Sequence, residues 1–185
     1  MGDHGRPEVF RQPVQACQFA QHIQARGPGV QISAACASTT QAVAMAEDWM
    51  RLGRARRVIV IAGDDVTSPA LREWIMTGFL MAGAATTTGV VSEAALPFDR
   101  RRHGMIVGMG AAAMGLEDAR ETRKRGVSPL AELLAYQTEN SAYHQTRLMT
   151  SHVADVMDRL VAKAERRGGV PRARMAEKML FMSHE

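Results

Sequence analysis

The hexapeptide SAACAS, residues 33–38, is the part of the sequence whose residue types could most readily do chemistry. It places Cys36 among small side chains, at the start of a stretch with helical spacing. A helix start favours the thiolate, the nucleophilic form of cysteine. The small neighbours leave room for a long thioester, and the amide of Cys36 could help to form an oxyanion hole. Cys36 is therefore a candidate nucleophile.

A structural role for Cys36 is an equally good interpretation of the hexapeptide taken alone, because free cysteine is among the most buried residue types. The other cysteine, Cys17, lies in a predicted helix among Gln and Phe residues, where packing explains it. Two cysteines and no recognisable secretory leader argue against a disulfide framework and favour the cytoplasm.

The residues on either side of Cys36 predict a strand, a sharp turn and a long helix. We expect a short extended run over residues 30–33 and a helix over residues 34–52, where small and apolar side chains recur at helical spacing. A polar segment, residues 1–29, precedes them and contains a short helix over residues 14–25. This order is typical of an α/β protein.

Two apolar stretches further along are candidates for a sheet beside this helix. Residues 57–62, RVIVIA, are continuous and β-branched, which is typical of a fully buried strand in a parallel sheet covered by helices. Residues 96–117 begin with an arginine-rich turn and continue as small residues that suit a tightly packed strand. Between them, Ser68 and Pro69 predict the start of a helix that runs to about Met81.

The last third of the sequence predicts further elements and a second candidate site residue. The expected elements are a charged helix, an extended segment, an amphipathic helix and a buried strand, over residues 118–125, 130–136, 151–167 and 178–183. His184 follows that strand at its carboxyl end, where ligands gather in α/β sheets.

The composition fits one globular domain and excludes some classes of function. The chain has 185 residues, of which 46% are hydrophobic and 23% charged. The net charge of +4 is spread over short basic clusters without interleaved aromatics or a reading motif, so we expect solvated faces rather than a nucleic-acid site. An acidic protein partner is the alternative. No apolar run approaches the roughly 20 residues that span a bilayer, so no membrane segment is expected.

Five segments in order resemble the β-ketoacyl synthases of the thiolase superfamily, and they are distributed along nearly all of the chain after Pro28. SAACAS is similar to the acylation site of that family, and LPFDRRRHGMIVGMGAAAMGLE, residues 96–117, is similar to its Pro-Phe-Asp and glycine-rich strand. The other three are RRVIVIAGDD at residues 56–65, the segment at residues 130–144 and FMSHE at residues 181–185.

The resemblance implies a thiolase-like, layered αβαβα architecture, present in part over residues 30–185. It also implies that an acyl group is carried on Cys36 and condensed with a malonyl-type thioester after decarboxylation, in fatty acid or polyketide synthesis. His184 would polarise the extender carbonyl or assist decarboxylation, although a histidine near a chain end is by itself more often a surface residue. An acyl carrier protein and a second copy of the chain are the implied partners, and no cofactor is implied.

The family's second histidine and its lysine fall beyond residue 185, so we expect the chain to be inactive alone. Two positions also depart from the family: Met109 stands where an acidic residue is usual, and His103 where aspartate is common. A thiolase-type acyltransferase is an alternative, but thiolases lack the Pro-Phe-Asp strand. A non-catalytic remnant or dimerisation subunit is another, against which the retention of Cys36 argues.

Two further motifs do not carry a function. Residues 108–115, GMGAAAMG, superficially match a dinucleotide-binding loop, but these glycines lie within a predicted strand rather than between a strand and a helix. His144 and His152 have no cysteine or carboxylate at ligand spacing. Neither a nucleotide cofactor nor a metal site is expected.

Overall fold

The computed structural model describes residues 13–144 and 147–182. Within these ranges the chain forms two strands and six α-helices: α1 (Pro13–His22), α2 (Ser38–Arg51), β1 (Arg57–Asp65), α3 (Pro69–Met81), β2 (Met109–Glu117), α4 (Ala119–Lys124), α5 (Thr150–Gly168) and α6 (Arg172–Ala176). One turn of 3₁₀ helix, Val91–Glu93, lies between α3 and β2. The prediction of mixed α and β structure is confirmed.

The sheet of the described residues has two strands, and they run antiparallel. Arg57 pairs with Glu117 at one end of the ladder and Asp65 with Met109 at the other. The prediction of a parallel sheet is therefore wrong for this strand pair. It rested on the continuous apolar run of β1, but α3 and the irregular segment after it return the chain so that β2 enters from the opposite end.

The core forms where α2 lies across one face of this sheet. Its most buried residues are Ala46 on α2, Val60 on β1 and Leu116 on β2, and Val43 and Met50 pack against them. Positions 43, 46 and 50 are three and four residues apart, so they share one side of the helix. The helical spacing that predicted α2 is thus also the reason that it binds the sheet.

The opposite face of the sheet is not covered by the described residues. Ile59 and Ile61 point away from α2, and each is more than two-fifths exposed. Seven of the nine residues of β2 are exposed, from Met109 to Gly115. The predictions of a fully buried β1 and a tightly packed glycine-rich strand are therefore wrong here, because a helix covers one face only.

Most helices lie where the sequence places them. Pro69 is the first residue of α3 and Ser68 precedes it, but the Ser68 side chain makes no capping hydrogen bond. At α4 the Asp118 carboxylate accepts a hydrogen bond from the amide of Arg120, as N-cap residues do. Gly169 ends α5 with φ of 63°, a left-handed conformation that glycine adopts without strain.

Two segments that the sequence predicts as strands form none in the structure. Residues 30–33 have no ladder partner in the described ranges, so the turn at Cys36 leads from irregular backbone into α2. Residues 178–182 are also irregular, and Leu180 and Met182 are both at least 80% exposed. The prediction of a buried strand there is wrong over these residues, because no described strand lies beside them. None of the described helices has the length and apolarity needed to cross a membrane.

Candidate active site at the cysteine turn

Cys36 lies in a tight turn two residues before the first residue of α2. The amide of Ala37 donates to the carbonyl of Ala34 at 3.0 Å, and the amide of Ser38 donates to the carbonyl of Ala35 at 3.1 Å. Ala35 has φ of 48°, in the left-handed region that residues other than glycine rarely occupy. The turn therefore reverses the chain sharply and places Cys36 just ahead of the helix start.

The Ser38 side chain closes this turn from the helix side. Its Oγ accepts a hydrogen bond from the amide of Ala34 at 2.8 Å and donates one to the carbonyl of Ala35 at 2.6 Å. Both groups belong to the two residues immediately before Cys36. The sequence indicates that Ser38 is small, but it does not predict these hydrogen bonds.

The thiol of Cys36 is exposed and free. The interpretation of Cys36 as a buried structural cysteine is therefore wrong for this structure. Cys17 on α1 is also exposed, so packing does not account for it as the sequence suggested. The two thiols differ in their surroundings: Cys36 precedes a helix start in a hydrogen-bonded turn, whereas Cys17 lies within a helix.

The second predicted site residue, His184, lies outside the described residues, as do Ser183 and Glu185. The convergence of Cys36 and His184 on one cavity stays a prediction. Among the side chains that the structure does describe, no group of three or more His, Cys, Asp or Glu residues is arranged to hold a metal ion.

A polar cluster that was not predicted from the sequence contacts the last turns of α2, at the opposite end of the helix from the cysteine turn. Glu47 is 8% exposed and its carboxylate pairs with Arg51 at 2.6 Å and with Arg167 of α5 at 2.7 Å. Next to it, Tyr136 donates its hydroxyl hydrogen bond to Asp48 at 2.5 Å. This bond and burial raise the pKa of Tyr136 to about 12. Two adjacent carboxylates, Glu47 and Asp48, in the same helix as the core residues were the one available signal.

The same cluster ties the irregular segment before α5 to that helix. Lys163 donates to the carbonyl of Tyr136 at 3.0 Å and lies 4.3 Å from the centroid of its ring. Arg159 pairs with Glu139 through two hydrogen bonds, of 2.8 and 2.7 Å. The segment over residues 134–139 therefore bridges α2 and α5 without forming a strand of its own.

The chain just before the glycine-rich strand β2 is held by backbone hydrogen bonds between Met105 and residues 84–86. The amide of Met105 donates to the carbonyl of Ala84 at 2.9 Å, and the amide of Thr86 donates to the carbonyl of Met105 at 3.0 Å. A Cβ at Gly104, where φ is 147°, would lie 2.4 Å from the nitrogen of Thr86. Beside it, the Thr86 hydroxyl and His103 Nδ1 are 3.1 Å apart. His103 thus has a local hydrogen-bond partner in this turn.

Within the Pro-Phe-Asp segment, Asp99 and Arg101 form a local clamp. The Arg101 Nε and Nη2 atoms lie 3.0 and 2.8 Å from the two carboxylate oxygens, and the Arg101 amide donates to the same carboxylate at 2.8 Å. The hydrogen bond from the Arg101 side chain is the main reason that the pKa of Asp99 falls to about 2. The Asp99 carboxylate is therefore ionised and is held in place in this turn by Arg101.

Comparison with known proteins identifies the family to which these elements belong. The family model of the beta-ketoacyl synthase N-terminal domain matches residues 11–122, which include the cysteine turn, both strands and most of α4. Among solved structures, the chain is similar to the ketosynthase of "AntDE:AntF (apo): type II PKS acyl-carrier protein in complex with its ketosynthase bound to the hexaketide", with a TM-score of 0.71 and 24% identity, covering 90% of this chain and 42% of that one. This likeness confirms a thiolase-like α/β fold, present in part.

Curated relatives agree with this assignment. The ketoacyl synthase alpha subunit of the tetracenomycin polyketide synthase of Streptomyces glaucescens is 31% identical over 161 residues, which are 84% of this chain and 37% of that protein. The 3-oxoacyl-[acyl-carrier-protein] synthase 2 of Vibrio harveyi is 30% identical over 122 residues, 65% of this chain and 28% of that protein. The chain thus spans about a third of the length of the curated relatives it matches. Together with the family match, these similarities show that the chain belongs to the β-ketoacyl synthase family.

Proposed function

We propose that Cys36 carries the acyl group in a β-ketoacyl synthase that condenses acyl thioesters in fatty acid or polyketide synthesis. The single observation that supports this most is the exposed thiol of Cys36 in a hydrogen-bonded turn directly before α2, inside the segment that matches the family. The exposure of this thiol leaves the sulfur open to an incoming thioester.

The proposed reaction has two steps. In the first, the Cys36 thiolate attacks the carbonyl carbon of an acyl thioester, a new carbon–sulfur bond forms, and the donor leaves as a thiolate. In the second, a malonyl-type thioester loses CO₂, and the electron pair left on its α-carbon attacks the acyl carbon. The Cys36 thiolate then leaves, and a β-ketoacyl thioester is released. We assign His184 to the second step, where it would polarise the extender carbonyl or assist decarboxylation.

We further propose an acyl carrier protein as the donor of both thioesters, a homodimer as the working assembly and the cytoplasm as the location. The similar ketosynthase with the TM-score of 0.71 is in complex with an acyl-carrier protein. In this chain, the exposed arginines Arg54 and Arg56 supply positive charge for an acidic partner.

The proposed function is tested first at the acylation step, because Cys36 is its proposed nucleophile. A form of the protein that extends to the length of the family members is incubated with an acyl thioester of phosphopantetheine, and the mass of each cysteine peptide is measured. Acylation should occur on Cys36, persist in Cys17→Ala and vanish in Cys36→Ala. Acylation that occurs on Cys17 instead, or equally on both cysteines, would reject the assignment.

The condensation step is tested in a longer form of the protein that extends to the length of the family members. There, His184→Ala should reduce condensation much more than acyl loading of Cys36, and equal loss of both steps would make His184 structural. Light scattering of the same protein should show a dimer. An active, stable monomer at micromolar concentration would remove the proposed assembly.

A further inference from the structure

The Ser38 hydroxyl forms hydrogen bonds that the helix it begins does not require. A serine at a helix start commonly caps that helix, by accepting a bond from an amide two or three residues later. No side-chain capping bond is present at the start of α2. The Ser38 Oγ reaches back instead, to the amide of Ala34 and the carbonyl of Ala35.

The two hydrogen bonds of Ser38 Oγ hold the backbone on both sides of Ala35, the residue before Cys36. Ala35 has φ of 48°, a conformation that an alanine keeps only where surrounding contacts hold it. Its carbonyl accepts from both the amide and the hydroxyl of Ser38, at 3.1 and 2.6 Å. Ser38 and Ala34 are half-buried, whereas Cys36 between them is exposed. The hydroxyl therefore fixes the backbone on the inner side of the turn and leaves the sulfur on its outer side.

We propose that Ser38 is a positioning residue, whose hydroxyl holds the strained turn so that the Cys36 sulfur stays at the start of α2. The proposal rests on the proposed function, in which Cys36 is the nucleophile. Ser38 does not touch the thioester in this role. It acts through the backbone of Ala34 and Ala35, and without its hydroxyl the turn relaxes and Cys36 leaves the helix start for part of the time.

The test compares Ser38→Thr with Ser38→Val, because these side chains have nearly the same shape and differ in the hydroxyl. The readout is the rate of iodoacetamide labelling at Cys36 relative to Cys17, measured by peptide mass in the same sample. Cys17 serves as an internal standard, since both thiols are exposed. The ratio in the unfolded chain gives the baseline without a helix start.

We expect the threonine variant to keep the Cys36 to Cys17 ratio of the parent. The valine variant should lower it roughly two- to fivefold toward the unfolded baseline, the size of effect that a helix end has on a nearby charge. Equal ratios in the threonine and valine variants would overturn the proposal, because only the hydroxyl separates them.

Hydrogen exchange of the Ala34 amide provides a second measurement that does not depend on either variant folding well. In the parent, this amide should exchange more slowly than in the unfolded chain, because it donates to Ser38 Oγ. Exchange at the unfolded rate in the folded parent would overturn the proposal.

Acyl loading from a thioester separates this proposal from the proposed function. If the labelling ratio depends on the hydroxyl but Cys36 accepts no acyl group, the positioning role stands and the proposed function fails. If Cys36 is loaded equally fast in the threonine and valine variants, the positioning role fails and the proposed function stands.

Discussion

Arg167 near the end of α5 forms an ion pair with Glu47 on α2, with Nη1 and Oε1 2.7 Å apart. The same Nη1 donates to the carbonyl of Leu134 at 3.0 Å. One guanidinium therefore joins α2, α5 and the irregular segment between β2 and α5. Because Glu47 is almost fully buried, this contact connects the helix that begins after Cys36 to the C-terminal part of the chain.

Arg167→Met should lower the free energy of unfolding by about 1–3 kcal/mol, because it leaves a buried carboxylate with one cationic partner instead of two. Arg51→Met is the matched control. It removes the other partner of the same carboxylate, but Arg51 is 55% exposed and Arg167 24% exposed. Arg51→Met should lower the free energy of unfolding by less than about 1 kcal/mol. Urea unfolding measures both values, and equal losses would contradict the bridging role of Arg167.

Tyr136 should ionise late in an alkaline titration. Its neutral hydroxyl donates to Asp48 and its pKa is raised to about 12, so the folded state holds the proton more tightly than the unfolded chain, whose value is near 10. The resulting contribution to stability is present below about pH 10 and is lost as the pH rises through about 12. The chain has two tyrosines, so in the Tyr143→Phe variant the tyrosinate absorbance reports the ionisation of Tyr136 by itself. Adding Asp48→Ala should lower the midpoint, and an unchanged midpoint would exclude Asp48 as its cause.

Gly104→Ala should destabilise the fold strongly, by about 2 kcal/mol or more, because the new Cβ would lie 2.4 Å from backbone and φ is 147°. Gly108→Ala is the control in the same segment, since a Cβ there meets nothing within 4 Å. Thermal unfolding should show a large loss for the first variant and a change within about 0.5 kcal/mol for the second. Similar values would mean that the pairing of residues 84–86 with 105 does not form.

Asp99 should remain ionised in mild acid. Its pKa is lowered to about 2, mainly by the hydrogen bond from the Arg101 side chain. The associated stabilisation is therefore present above about pH 4 and is lost as the pH falls through about 2. An NMR titration of the Asp99 carboxyl carbon should show a higher midpoint in Arg101→Gln. Arg100→Gln, the neighbouring control, should leave the midpoint where it is, and a shift of equal size there would argue against the clamp.

Local patterns predicted most of the local structure. The helical spacing of small and apolar residues predicted α2, and Pro69 marked the start of α3 correctly. The position of Cys36 in a sharp turn before a helix could be predicted for the same reason, because residues a few positions away determine that turn. The family resemblance, now confirmed, came from motif order along the whole chain.

Long-range contacts were not predictable from these patterns. The antiparallel direction of β2 depends on how 43 residues between the strands return the chain, and no single motif encodes that path. The Tyr136–Asp48 bond joins residues 88 positions apart, and no local pattern indicates which distant side chain Tyr136 contacts. Burial of β1 was overestimated. A continuous apolar sequence favours burial of both faces of a strand, but it does not show whether other elements cover both faces.

The uncovered face of the sheet has a calorimetric consequence. Ile59, Ile61 and Met114 are already largely in contact with water in the folded chain, at 48%, 46% and 54% exposure. Heat capacity rises on unfolding because apolar surface is newly hydrated, and surface that is wet beforehand adds little. The 185-residue chain should therefore melt with a heat-capacity increment per residue below the usual ~12–15 cal/mol/K.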